Sequence, residues 1–216
     1  MLRDVLPFRG RDGGATRLPD EFLEWQVLLR RHTMEARNGS PHVGVAPLLL
    51  VRRPGAGPGV TAHSIICGLL PAEHLLARKT DEFRAIYEDN RPEGARAIYD
   101  RGIAYLRDYY TDPSAFDPTS VTTLLPRDAA ATVALRADPK CALVFHVFDM
   151  DDKSEIGRLR CLQLDCRAEL HESGPVYDNV WWHNTLFHGM VEDNVVVRFR
   201  HQASWDTLFG GLEALR

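Results

Sequence analysis

Residues 32–70 read HTMEARNGSPHVGVAPLLLVRRPGAGPGVTAHSIICGLL, and the punctuation of this stretch decides the fold. Three runs, 32–37, 41–53 and 60–70, are joined by two turn signals. Asn38-Gly39 supplies the positive-φ positions that a tight hairpin needs. The hexapeptide Pro54-Gly55-Ala56-Gly57-Pro58-Gly59 holds neither a helix nor a central strand, so it reads as a second, looser turn. The pattern predicts a three-stranded antiparallel meander. Residues 43–50 are apolar on both sides of the run, as in a strand with two covered faces, and Pro47 marks a bulge or an edge.

Working outward, a helix precedes the meander. Asp20 is its N-cap, Glu21 and Glu24 suit the positive end of the dipole, and Phe22, Leu23, Trp25, Gln26 and Leu29 form a mostly apolar face. The change to strand falls between Val27 and Thr33. Residues 1–17, with four Arg and three Gly and no apolar core, read as a flexible lead-in and not as a secretory signal. Residues 18–216 read as one domain. Within it, 71–125 is a helical insertion: apolar residues recur with helical spacing at Leu75, Leu76, Phe83, Ile86 and Tyr87, and again at Ala97, Ile98, Ile103, Leu106 and Tyr110.

Beyond the insertion, 127–137 reads as an alanine-rich helix stopped by Asp138-Pro139. Residues 141–148 are a buried strand. Residues 158–170 form a long strand whose face of Leu162, Leu164, Cys166, Ala168 and Leu170 looks inward. A helix over 177–187, a strand over 195–201 and a short tail or helix over 205–215 complete the chain. The expected architecture is mainly β with helices: six antiparallel strands that curl into a small barrel and so leave few open edges.

Several function classes find no support. A net charge of −4 gives no basic surface for nucleic acid, and no apolar run approaches the roughly 20 residues that span a bilayer. The cysteines Cys67, Cys141, Cys161 and Cys166 show no C-x-x-C pair, which fits a reduced, cytoplasmic protein. There is no P-loop, nucleophile elbow or dinucleotide fingerprint. His183 and His188 lie five apart, a poor spacing for two ligands on one helical face, and His146 sits mid-strand among apolar residues, so no metal site is expected.

Three motifs carry a resemblance. They are Asn38-Gly39-Ser40-Pro41-His42-Val43, then the helix-to-strand junction from Leu135-Arg136-Ala137-Asp138-Pro139 to Val144, then the strand from Gly157-Arg158 to Glu169-Leu170. In order and spacing they resemble the FMN-binding split barrel of the pyridoxamine 5′-phosphate oxidase-like superfamily. The resemblance implies a six-stranded antiparallel split barrel, a homodimer, bound FMN and an oxidoreductase acting on a small-molecule substrate. The flavin then does the electron chemistry, and no acid–base side chain is required. The family's phosphate-binding Ser or Thr at the end of strand three is matched nearest by His63 and Ser64. Arg78, Lys79 and Arg127 are candidates for the positive charge. Trp182, beside Trp181, is a candidate aromatic platform for the ring or else a packed core or interface residue. This chain departs from the family in carrying Cys166 where a glycine is common. A non-catalytic binder of haem, deazaflavin or another planar ligand, or a ligand-free dimeric scaffold, is the alternative on the same barrel.

Overall fold

The computed structural model describes residues 15–35, 46–54, 59–149, 158–188, 193–208 and 211–214. One antiparallel sheet organises them. Its strands are β1 (Leu48–Arg52), β2 (Val60–Ser64), β3 (Ser120–Pro126), β4 (Lys140–Asp149), β5 (Arg158–His171), β6 (Asn194–Leu208) and β7 (Gly211–Ala214). The spatial order is β2-β1-β4-β5-β6-β3, with β7 paired to β6 off this path. Five α-helices accompany it: α1 (Asp20–Glu35), α2 (Glu73–Asn90), α3 (Ala95–Tyr109), α4 (Ala130–Ala137) and α5 (Pro175–His188). The six main strands form a curled half-barrel in a mixed β and α fold. None of the described helices is long and apolar enough to cross a membrane.

The expected six-strand antiparallel architecture is present, with four corrections to its parts. Residues 32–35 continue α1 instead of starting a strand. The Asn38-Gly39 turn lies outside the described residues. The helical insertion is not helical throughout, because strand β3, Ser120–Pro126, begins inside it and pairs with β6. The C-terminal stretch expected as a tail or helix is strand: β6 runs on to Leu208, and Gly211–Ala214 folds back on it. Strand β2 is also shorter than the run 60–69, although Gly68 still makes one bridge to Thr122.

The core sits between the inner face of the sheet and the helices. Leu49, Val51, Leu143, Phe145, Leu164, Val197 and Phe199 are essentially fully buried, and α1 adds Phe22, Leu23 and Val27. The predicted inward face of β5 is buried at Leu162, Leu164, Cys166 and Ala168. Asp165, on the opposite face, is buried as well, and accepts from Gln163 Nε2 at 2.7 Å and Trp205 Nε1 at 2.9 Å. Among the helices, Gly94 at φ 96° lets the chain reverse between α2 and α3. Gly102 brings α3 against α5: a Cβ there would lie 3.1 Å from the Leu186 Cβ. The described cysteines Cys67, Cys141 and Cys166 are buried free thiols, as small apolar residues in a core.

Packing of this kind predicts a sharp contrast between two truncations. Leu164→Ala leaves a cavity at the centre of the sheet and should cost about 2–5 kcal/mol. Val133→Ala, on the exposed side of α4, should stay within about 0.5 kcal/mol of the parent. Urea denaturation of both variants measures the difference.

Candidate functional site

The two ends of the strand order meet along a seam. Just after β2, Gly68 N donates to Thr122 O at 2.6 Å, and Thr122 N returns the bond to Gly68 O at 2.9 Å. Thr123 Oγ1 donates to Ile66 O at 2.7 Å. The chain continues to an antiparallel bridge between Pro71 and Phe116. Residues 66–71 therefore run antiparallel to residues 116–123. That direction carries Ser64 toward the Pro126 end of β3, from which Arg127 follows, while α2 leaves from the opposite, Phe116 end.

This geometry sorts the residues singled out from the sequence. His63 and Ser64 lie on β2 opposite Leu49 and Leu48. His63 Nε2 is 3.1 Å from Thr61 Oγ1, and the Ser64 side chain is exposed. No side chain of β2 is buried. Arg127 follows β3, and its backbone N–H donates to Asp193 O at 3.0 Å. Its guanidinium pairs with Glu172, which Arg136 also approaches at 2.8 Å. The hydrogen bonds and charge of these two arginines hold the Glu172 carboxyl below its usual range.

Arg78 and Lys79 sit in the first turns of α2, at the other end. Arg78 is largely exposed, with Glu82 3.6 Å away. Lys79 is engaged: its Nζ donates to Glu82 at 2.7 Å and to the Tyr105 hydroxyl at 2.8 Å, and lies over the Tyr105 and Tyr109 rings. Trp182 is half-buried on α5. It stacks edge-on against Trp181 at 4.7 Å, packs on Tyr87 and lies under the Arg84 guanidinium at 5.5 Å. Arg78 and Lys79 are neighbours on α2, whereas the Arg127 guanidinium is engaged by Glu172. The side chains of His146 and His188 lie outside the described set.

The far end of the seam is locked by a buried ion pair. Asp117 N donates to Leu70 O at 2.8 Å. The Asp117 carboxylate accepts from Arg198 Nη2 at 2.7 Å, from Thr119 Oγ1 at 2.7 Å and from the Ser120 hydroxyl. Burial raises the Asp117 pKa, but the hydrogen bonds from Ser120, Thr119 and Arg198 outweigh it and hold the carboxyl below its ordinary value.

Sequence reasoning missed a second polar cluster, under the helices. Arg30 on α1 is buried, with Nη1 donating to Gln26 O at 3.0 Å and to Gln26 Oε1, and Nη2 donating to Cys67 O. The Tyr110 hydroxyl lies 2.9 Å from His183 Nε2. Burial pushes the Tyr110 phenol up to about 12, despite the lowering effect of Arg30. The one available signal was the i, i+4, i+8 series Phe22, Gln26, Arg30, which puts a cation on the apolar face of α1.

A scan against protein-family models finds no match, and a search of curated protein sequences finds none. A search of solved structures returns proteins of low identity and low TM-score. One is a Listeria innocua protein assigned as a pyridoxamine 5′-phosphate oxidase: 11% identity, TM-score 0.44, covering 88% of this chain and 99% of that one. Another is a heme binding protein from Mycobacterium smegmatis: 12% identity, TM-score 0.43, covering 93% of this chain and 59% of that one. A third is an F420 reductase: 14% identity, TM-score 0.36, covering 76% of this chain and 90% of that one.

The Asp117 pair generates a pH prediction. A carboxyl whose folded pKa is depressed adds stability that is complete above its unfolded value, about 3.9, and is lost as pH falls through the lower folded value. Stability should therefore fall below about pH 4, and Asp117→Asn should lower it by on the order of 3 kcal/mol at neutral pH, where Arg198 loses its counter-charge. The loss should shrink as pH drops toward the folded value. Denaturant midpoints against pH, for both proteins, provide the measurement.

Proposed function

We propose that this chain binds FMN as a homodimer and works as a flavin-dependent oxidoreductase on a small molecule. The observation that carries the reading is the Ser64 end of the seam. There, edge strand β2 buries no side chain, presents His63 and Ser64, and ends on the side from which Arg127 departs. A phosphate needs hydrogen-bond donors backed by positive charge. The Ser64 hydroxyl has no hydrogen-bond partner among the described residues and is free to donate. His63 adds a ring nitrogen, and the Arg127–Glu172–Arg136 group carries one net positive charge after β3. The donor set fits a phosphate in kind.

Bound flavin supplies the electron-transfer chemistry. The chain's own contribution is to hold the phosphate and to exclude water from the ring. Leu48, Val60 and Ile66 are exposed along β2 and the seam, Ile66 at 58%, and a second copy of the chain is the cover this reading gives them. The order of strands, and the Leu135–Val144 junction realised as α4 leading into β4, also support the reading.

The test is fluorescence titration of the purified protein with FMN, alongside its mass in solution. Saturable quenching and a dimer mass are expected. Ser64→Ala should weaken binding by about 1 kcal/mol, roughly fivefold, and Arg127→Ala by about 1.5–3 kcal/mol if its guanidinium reaches the phosphate. A protein that takes up no FMN at tens of micromolar overturns the reading. A Soret band on adding haem, in that same protein, transfers the barrel to the haem-binding alternative.

A further inference from the structure

We propose that Tyr110, Tyr109 and Tyr105 form a relay that carries an oxidising equivalent from the core to the surface, with His183 and Glu82 taking the phenolic protons at its two ends. The argument starts from the rings. Tyr110 and Tyr109 are buried and Tyr105 is half-buried. The Tyr110 and Tyr109 ring centroids are 4.9 Å apart. Those of Tyr109 and Tyr105 are 6.1 Å apart, with planes 22° from parallel. Tyr105 and Tyr109 lie one turn apart on α3, and Tyr110 caps its C-terminus, so one element sets the spacing.

What distinguishes the three phenols is the fate of the proton. A phenol that loses an electron becomes a strong acid, and the oxidised state settles where a base takes the proton. The Tyr110 hydroxyl lies 2.9 Å from His183 Nε2, and the relay uses the tautomer that leaves this nitrogen unprotonated. The Tyr105 hydroxyl donates to the Glu82 carboxylate. Burial raises the Glu82 pKa, but hydrogen bonds from Lys79 and Tyr105 outweigh it and hold the carboxyl below its ordinary value, so it is ionised and able to accept. The Tyr109 hydroxyl is buried with no hydrogen-bond partner among the described residues. Lys79 Nζ stands 5.3 Å from the Tyr105 centroid and 5.4 Å from that of Tyr109, and its charge opposes a ring cation on either. Tyr105 escapes this by passing its proton to Glu82. Tyr109 has no such outlet. Tyr110 and Tyr105 are therefore the two stations, and the Tyr109 ring is the bridge between them.

A one-electron oxidant strong enough to oxidise a phenol takes an electron from Tyr110, whose proton passes to His183 Nε2. Tyr105 then reduces the Tyr110 radical through the Tyr109 ring. Its electron fills the vacancy, its own proton goes to Glu82, and Tyr110 recovers the proton from His183. A soluble one-electron donor of the ascorbate class reduces the Tyr105 radical, Glu82 returns the proton, and the donor's proton goes to water. The relay requires no ligand bound to the chain.

The experiment runs the relay inward. Tyr110→3-aminotyrosine, in the full chain, places a phenol that is easier to oxidise than tyrosine at the buried end. A laser flash with a quencher generates a ruthenium(III) polypyridyl complex in solution, which reaches Tyr105 and is too large to reach residue 110. Transient absorption and electron paramagnetic resonance should then show the aminotyrosyl radical. In this background Glu82→Gln and Tyr105→Phe, both at half-buried positions, should fold and should slow its formation by about tenfold or more. Tyr109→Leu, which removes the bridging ring, should slow it as well, and Tyr109→Phe, which restores a ring, should recover the rate. The relay is overturned if no aminotyrosyl radical forms before the surface radicals decay. It is equally overturned if Glu82→Gln and Tyr105→Phe form the radical at the parent rate, since the electron then leaves residue 110 by another path.

Discussion

The paired hydrogen bonds between Gly68 and Thr122 hold the two ends of the sheet order together. Without them β2 and β3 would be two open edges on a twisted sheet. With them the sheet curls, and its inner face encloses one core. The close approach relies on glycine, because a Cβ at residue 68 would stand 3.2 Å from the Thr122 hydroxyl. The Asp117–Arg198 pair fixes the same seam from its far end, and Leu18 N, bonded to Pro118 O at 2.6 Å, ties the start of α1 to that corner.

Polar groups are distributed unevenly around this frame. On the sheet side they are paired by charge: Arg198 with Asp117, Arg200 with Glu169, and Arg127 and Arg136 with Glu172. Under the helices, Arg30 sits among carbonyls and an amide instead. The first arrangement is neutral locally and serves to position strands. The second keeps a net charge in the interior, and interiors retain such charges only against a matching cost elsewhere.

What the sequence disclosed follows from how local each signal was. The run Cys141–Phe145 is apolar without a break, and Pro139 stops the helix before it, so α4 and β4 were readable from neighbours alone. The alternation in β5 was likewise readable, because one face is buried along most of its length. Residues 120–126 were not. Pro118 and Pro126 mark turns, the preceding stretch has helical periodicity, and only pairing with Val195–Arg200 makes this segment a strand. The end of α1 was misread because His32–Glu35 has no strong intrinsic preference, and the helix that carries Arg30 to Cys67 runs on through it. Arg78 and Arg127 were equal candidates as isolated cations. The direction of the seam, which separates them, is a tertiary fact.

The pairing register also has a kinetic side. Strands β4, β5 and β6 are consecutive in the chain and pair as a meander, whereas β1 must find β4 across the whole helical insertion, with Leu48 opposite Val144. Closing long loops costs entropy before any contact rewards it. The order of assembly this favours begins with the C-terminal meander, adds β3 along β6, and closes the curl with β1 and β2 last. On that route the outermost strands spend the longest time unpaired, so the seam that completes the barrel is also where the nascent chain is most exposed to pairing with the wrong partner.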